Sequence, residues 1–176
     1  VPAHRIPENA DIALTDRPEI RLAWNRDGLY VRFAVPDRNV READNVEELN
    51  LGSGVEIHVA PQRGSPQMIQ TIISPGLDGR QDQVRTLMLD YRPVRLTKPT
   101  IEALVRRTRD GYVLTARLPW QNLDLTVSPG DEIAVQCFVN SFEDNRITAR
   151  PWHPETGTFQ DSNRMRRVIL GATPEA

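Results

Sequence analysis

The chain has 176 residues, of which 39% are hydrophobic and 26% charged, ordinary values for a globular protein that exclude a disordered or fibrous chain. Its 22 basic and 24 acidic residues are scattered and leave a net charge of −2, so no positive field favours a nucleic-acid partner. No run approaches the roughly 18 consecutive apolar residues that a membrane helix needs. The single cysteine, Cys137, excludes an internal disulfide and a multi-cysteine metal site.

The first two strands are predicted at 19–24 and 29–35, because apolar and polar residues alternate along both segments. Between them lies Asp27-Gly28, a pair that is typical of a tight hairpin turn in which the glycine supplies a positive φ. These two segments therefore form a predicted β-hairpin.

A second hairpin is predicted from strands at 100–108 and 111–118, because Asp110-Gly111 repeats the same turn signal between them. The same alternation, bounded by Gly, Pro, Asn and Asp, predicts five further strands. These lie at 54–60, 67–74, 84–90, 132–142 and 166–170.

Two segments depart from the strand pattern. In 38–50 an apolar residue falls at every third position among acidic side chains, which indicates a short surface helix or a long loop. Residues 119–123 are predicted to form one helical turn that closes a strand.

About nine strands and no long helix predict an all-β, antiparallel β-sandwich in a single domain. The sandwich is predicted over residues 19–171, after an irregular lead-in at 1–18 and before a tail at 172–176.

Standard catalytic signatures are absent from the sequence. It contains no His-Glu-x-x-His, no Gly-x-Ser-x-Gly, no phosphate-binding glycine loop and no dinucleotide fingerprint. His4, His58 and His153 are far apart, and nothing selects a pair of carboxylates at the separation that a glycosidase needs. We therefore expect a domain that is not an enzyme.

Glu56 and His58 alternate with three apolar residues in the predicted strand 54–60, so the two polar side chains share one face. That face is either a solvated outer surface, as is common in antiparallel sheets, or part of a cleft that also contains Gln70. A carboxylate accepts two hydroxyl hydrogens at once, which suits the vicinal hydroxyls of a sugar.

The aromatic residues divide into structural and binding candidates. Trp24 and Trp120 lie at core-facing positions and are predicted to be structural. Trp152 and Phe159 lie in a segment, 150–159, that is predicted to be irregular, where an aromatic ring either plugs the edge of the core or contacts a ligand. Cys137 alternates with apolar residues and is expected to be a small buried hydrophobe.

A series of short motifs follows in a fixed order along the chain. It comprises Arg-Leu-Ala-Trp at 21–24, Leu-Tyr-Val at 29–31, Val-Pro-Asp at 35–37, Ser-Gly-Val-Glu-Ile at 53–57, Gly-Tyr-Val-Leu-Thr-Ala-Arg-Leu-Pro-Trp at 111–120, and closing strands within 133–170. In this order the chain resembles the family 9 carbohydrate-binding modules and their wider superfamily, which includes the haem- or sugar-binding DOMON-type domains.

The resemblance implies a jelly-roll-like sandwich that is non-catalytic and part of a larger, secreted or cell-envelope protein, and hence an extracytoplasmic location. It also implies a saccharide ligand. In the sugar-binding members two tryptophans sandwich the sugar, while a glutamate and amide side chains bind its hydroxyl groups.

Carried over by position, Glu56 matches the binding glutamate, and Asn140 matches an asparagine that ends the family's Val-Asn-Asp strand. The first clamp tryptophan falls on Asn50, which cannot stack on a sugar, and the second falls near Phe159. The predicted saccharide-binding residues are Glu56, Asn140, Phe159, Asn50, Gln70 and His58.

Two alternatives to saccharide binding remain open. Saccharide binding itself is predicted to need no cofactor, and neither does the second alternative below. The first is a haem-binding electron-transfer domain related to the DOMON group, and the second is an interaction domain that has lost sugar binding. The candidate axial ligands for haem are Met68, Met88, Met165, His58 and His153. Calcium is a further option through loop acids at Asp37, Asp44 and Glu47, although their spacing is not that of a regular calcium loop.

Overall fold

The computed structural model describes residues 14–76, 84–90, 101–144, 146–152 and 161–172. Within them ten strands account for nearly all regular structure, so the predicted all-β sandwich is confirmed. The strands are β1 (Glu19–Asn25), β2 (Gly28–Pro36), β3 (Gly54–Ala60), β4 (Ile69–Ser74), β5 (Arg85–Asp90), β6 (Glu102–Thr108), β7 (Gly111–Pro119), β8 (Glu132–Glu143), β9 (Arg146–Pro151) and β10 (Arg166–Ile169).

The strands form two antiparallel sheets. The four-stranded sheet has the order β1-β2-β7-β6, and the six-stranded sheet has the order β10-β8-β3-β4-β5, with β9 paired to the C-terminal half of β8. Both predicted hairpins are present, since Asn25 pairs with Gly28 and Thr108 pairs with Gly111.

The core lies between the sheets because each strand turns alternate side chains toward the other sheet. Phe33 and Leu114 from the smaller sheet and Ile57 and Val139 from the larger one are essentially inaccessible to solvent. Burial of each such side chain contributes about 1.5–3 kcal/mol relative to exposure.

The two non-strand segments contain short helices. Within 38–50 and just beyond it, a 3₁₀ helix spans Val46–Leu51, with Leu49 as its one buried residue. Helix α1 spans Trp120–Leu123, as predicted. A further 3₁₀ turn spans Ser162–Arg164. None of the described helices has the length and apolar composition needed to cross a membrane.

Strand β9 was not predicted. Arg150 and Pro151, which the sequence assigns to an irregular segment, end this strand, and Pro151 pairs with Phe138. Every side chain of β9 is at least partly exposed, and its sequence offers one large apolar residue, Ile147, and a terminal proline that argues against a strand.

The predicted reason for glycine at the hairpin turns is wrong. Among the described residues positive φ occurs at Gly64, Gly76, Gly130, Asp124 and Asp144, so neither Gly28 nor Gly111 has it. A Cβ atom on Gly28 would instead lie 2.6 Å from the carbonyl oxygen of Leu118, and one on Gly111 would overlap that of Val35. The glycines therefore permit close approach of neighbouring strands.

Candidate functional site

The candidate site lies on the face of the six-stranded sheet that points away from the core. Glu56 occupies the middle of β3, between Ile72 of β4 and Phe138 of β8. His58 lies two residues further along the same face, between Gln70 and Gln136. The period of two along a strand thus places polar side chains from three adjacent strands next to one another.

The carboxylate of Glu56 is the centre of a hydrogen-bonded cluster. The Nδ2 atom of Asn140 donates to Oε1 of Glu56 at 2.7 Å. On the other oxygen, the Nε2 atom of Gln70 donates to Oε2 at 2.7 Å, and Nε2 of His58 lies 3.1 Å from the same atom. We call these four residues, Glu56, His58, Gln70 and Asn140, the Glu56 cluster.

The cluster keeps Glu56 ionised. Burial by itself raises the pKa of this carboxyl, but the hydrogen bonds from His58, Asn140 and Gln70 lower it by more. The pKa of Glu56 therefore lies below its ordinary value of 4.5. Because an ionised carboxylate only accepts hydrogen bonds, Nε2 of His58 carries the proton that points to Oε2.

Two polar atoms of the cluster have no hydrogen-bond partner in the part of the chain that the structure describes, although both are buried. They are Nδ1 of His58 and Oδ1 of Asn140. In the neutral His58 ring Nδ1 is an acceptor, as Oδ1 of the amide always is. Buried polar groups without partners are uncommon, and one explanation is a ligand or water that is bound there in solution.

The Glu56 face is buried rather than solvated. Glu56 is 2% exposed and His58 is 0% exposed, so the alternative of a solvated outer surface is wrong. The ring of His58 also packs against Phe138, with 5.1 Å between the ring centroids.

Comparison with known proteins identifies the family. The model of the family described as carbohydrate family 9 binding domain-like matches residues 9–173. The chain belongs to this family. The resemblance inferred from the order of motifs is thereby confirmed.

Solved structures of the family 9 type share the fold. A family 9 carbohydrate-binding module from Caldicellulosiruptor kristjanssonii, in complex with cellotriose, superposes with a TM-score of 0.66 at 17% identity, over 92% of this chain and 80% of that one. Its complex with glucose gives 0.65 at 16% identity, over 93% and 82%.

A third similar structure comes from Bacteroides uniformis and is of a protein proposed to bind carbohydrate. Its TM-score is 0.64 at 14% identity, with 91% of this chain and 84% of that chain covered. No curated protein matches the sequence.

The structure brings four of the six predicted site residues of this family member together, namely those of the Glu56 cluster. Asn50 is exposed on the 3₁₀ helix Val46–Leu51, and no hydrogen bond to the cluster is described for it. Phe159, like the haem-ligand candidate His153, lies outside the described residues.

Trp152 plugs the edge of the core. Its ring is half-buried and packs against the main core, and its backbone N–H donates to the carbonyl of Cys137 at 2.7 Å. The guanidinium of Arg166 lies 5.0 Å from the ring centroid. Trp24 and Trp120 also pack against the core, in an edge-to-face pair with 6.4 Å between centroids.

The loop between β2 and β3 is fastened over the same sheet by residues that the sequence did not single out. Oγ of Ser74 donates to Oε1 of Glu42 at 2.5 Å, and Nη2 of Arg85 lies 3.2 Å from Oε2 of Glu42. Nη2 of Arg85 also donates to the carbonyl of Ala43 at 2.5 Å. The feature that could have identified them is that Ser74 and Arg85 lie opposite each other on neighbouring strands. The sequence does not show this, because it depends on the pairing of β4 with β5.

The residues considered for cofactors are separated or used in packing. Asp37 is buried, whereas Asp44 and Glu47 are exposed. In the described part of the chain no three His, Cys, Asp or Glu side chains are grouped to hold a metal ion. Met68 and Met165 form a small apolar cluster with Ala60 and Ala134, and Met88 packs against the main core.

Proposed function

We propose that this domain binds the terminal unit of a saccharide at the Glu56 cluster. The observation that carries the proposal is the pair of buried acceptors that have no partner among the described residues, Nδ1 of His58 and Oδ1 of Asn140, beside an ionised carboxylate. Sugar hydroxyl groups donate hydrogen bonds, so a saccharide would satisfy both atoms. Membership of the family and the bound sugars of the similar Caldicellulosiruptor structures support this assignment.

The carboxylate of Glu56 has capacity for a ligand as well. An ionised carboxylate offers about four acceptor positions, and the three donors of the cluster occupy three of them. In this proposal Phe159 supplies the stacking surface, while Asn50 cannot. One aromatic ring instead of two gives weak to moderate affinity.

Binding requires this closed face to open, because Glu56 is 2% exposed. The free energy of this opening is subtracted from the affinity of the open site. Millimolar to high-micromolar dissociation constants are therefore expected.

The test is titration calorimetry with a panel of mono- and oligosaccharides that includes glucose and cellotriose. Binding of at least one sugar is expected, and Asn140→Ala is expected to weaken it about tenfold or more, because it removes an acceptor and a donor to Glu56. Asn39→Ala, at an exposed position, is the matched control and leaves binding unchanged. Absence of binding at millimolar concentrations of every sugar would contradict the proposal.

Phe159 gives a second test of the same site. Phe159→Ala is expected to reduce affinity more than any other single substitution, because it removes the one stacking ring that the resemblance assigns. Phe159→Trp should preserve or increase affinity in the same titration. If Phe159→Ala binds as tightly as the parent chain, the stacking role is wrong.

We also propose that the domain is a non-catalytic part of a larger, secreted or cell-envelope protein. After incubation with the domain, the oligosaccharide that it binds should be unchanged when analysed by chromatography. Fractionation of the producing cell should recover the protein outside the cytoplasm. Degraded ligand or a cytoplasmic protein would overturn the corresponding part.

Saccharide binding is proposed to need no cofactor. Metal analysis of the purified protein and titration in the presence of a chelator test this directly. A Soret absorbance band after incubation with haem would instead support the electron-transfer alternative.

A second candidate is an interaction domain that has lost sugar binding. It is favoured by a specific observation, since both oxygens of Glu56 already accept internal hydrogen bonds within a closed face. The saccharide panel distinguishes the two functions, because this second candidate binds none of the sugars.

A further inference from the structure

The Glu56 cluster is unbalanced in its hydrogen-bonding capacity. His58, Gln70 and Asn140 each point one donor at Glu56. The two atoms that lack a partner within the described chain, Nδ1 of His58 and Oδ1 of Asn140, are acceptors when the ring is neutral. A ligand therefore meets acceptors at both positions.

The charge of the cluster, like its acceptors, favours a ligand group that is positively charged and donates hydrogen bonds. Glu56 is ionised, the amides of Gln70 and Asn140 carry no charge, and the His58 ring adds none when it is neutral. Across β4, Arg85 balances its charge with Glu42 at 3.2 Å, so this pair is neutral as a unit. Nε of Arg85 is a buried donor without a partner among the described residues, but it lies opposite Ser74, at the far side of β4 from β3.

We propose that the Glu56 cluster prefers a saccharide that bears a protonated amino group over the same saccharide with a hydroxyl group in place of that amino group. This inference rests on the proposed function and names the substrate class of that site. An ammonium group has three donors and no acceptor, so it complements two buried acceptors and a carboxylate. A hydroxyl group supplies one donor, and the carboxylate group of a uronate supplies no donor and a further negative charge.

The expected preference follows from the difference between neutral and charge-assisted hydrogen bonds. That difference corresponds to about a tenfold lower dissociation constant for the amino sugar, after its greater desolvation penalty is allowed for. N-acetylglucosamine has a neutral amide where glucosamine has its amino group, so its affinity should not exceed that of glucose in this way.

The experiment compares glucosamine, glucose, N-acetylglucosamine and glucuronate by titration calorimetry at about pH 7, where an amine of ordinary pKa is mostly protonated. Glucosamine is expected to bind about tenfold more tightly than glucose, and glucuronate is expected to bind most weakly. Equal affinities for glucosamine and glucose overturn this inference and leave the proposed function standing. Absence of binding by all four, and by the oligosaccharides of the panel, overturns both.

A charge-neutral variant identifies the source of the preference. Glu56→Gln should reduce the glucosamine-to-glucose ratio to about one, whereas Glu102→Gln, which removes an exposed carboxylate from the other sheet, should leave it unchanged. An unchanged ratio in folded Glu56→Gln overturns the assignment to this cluster. The four-ligand series on the parent chain decides the preference even if that variant does not fold.

Discussion

At the scale of single residues, Glu56 combines deep burial with a negative charge. An isolated carboxylate would be neutralised by the desolvation penalty of such a position. Three donors from β3, β4 and β8 reverse this tendency, so the pKa of Glu56 is lowered. Its ionisation is therefore coupled to the pairing of three strands.

This coupling predicts an acid-dependent loss of stability. Because the folded-state pKa lies below the ordinary value, ionised Glu56 stabilises the fold above about pH 4.5 and loses this effect as the pH falls through the folded-state pKa. Glu56→Gln should cost about 1–3 kcal/mol at neutral pH. The melting temperature of the parent chain should then approach that of the variant as the medium is acidified.

Calorimetric melting curves at several pH values measure this convergence. Glu102→Gln serves as the control, because its side chain is 60% exposed and its removal should alter the acid dependence little. Parallel melting-temperature profiles for the parent chain and Glu56→Gln would show that Glu56 is not responsible.

The composition of the cluster was predictable from the sequence only in part. Alternation with apolar residues placed Glu56 and His58 on one face, and the family resemblance pointed to Asn140. The hydrogen bonds themselves depend on register, which sets Gln70 opposite His58 and Asn140 opposite Gly54 across two strand pairs. Register between strands distant in sequence cannot be read from the local pattern.

At the scale of elements, the two hairpins of the smaller sheet meet where β2 pairs with β7. Gly28 is opposite Pro119 at one end of this pair, and Gly111 is opposite Pro36 at the other. At both ends an added Cβ would collide with backbone atoms of the neighbouring strand. The tight ends of the pair therefore require glycine although neither glycine has a positive φ.

Substitution of Gly111 tests this requirement. Its Cβ would overlap the carbonyl of Val35 and lie 2.7 Å from the backbone nitrogen of Asp37, so Gly111→Ala should destabilise the fold by about 1–3 kcal/mol or more. Gly171→Ala is the matched control, because a Cβ added there would have no described atom within 4 Å. Urea denaturation measures both, and equal stabilities would refute the close-approach explanation.

Elements with a clear alternation of large apolar residues were predicted well, including β1, none of whose side chains is fully buried. Strand β3 agrees with its prediction at both ends because three of its side chains face the core and the pattern is clean. Strand β9 was missed because Ile147 is its one large apolar residue and because Pro151 at its end argues against a strand. The 3₁₀ helix Val46–Leu51 escaped a definite assignment because Leu49 alone is buried.

At the scale of the whole molecule, the two sheets are held together by a continuous apolar core that contains Cys137. Its side chain is inaccessible to solvent, and burial raises the pKa of the thiol. A buried, protonated thiol does not react with alkylating reagents. Access to Cys137 thus requires the sheets to separate.

Alkylation of Cys137 should therefore report opening of the whole sandwich. The native chain is expected to react slowly, at a rate that rises about tenfold for each 1.4 kcal/mol of destabilisation when reclosing is fast. Gly111→Ala should increase the rate and Gly171→Ala should not. Mass spectrometry of samples taken over time measures the alkylation rate. If the native chain is alkylated as rapidly as the denatured chain, Cys137 is not buried as described.

The sequence by itself determined the all-β class, most of the strands, both hairpins and the family, because these depend on local periodicity, turn residues and the order of motifs. Only the tertiary structure decided the sheet order, the burial of the Glu56 face, the ionisation of Glu56 and the true role of the hairpin glycines. Each of these depends on which strands lie side by side and at which register. The burial, hydrogen bonds and steric contacts involved join residues that are far apart in the chain.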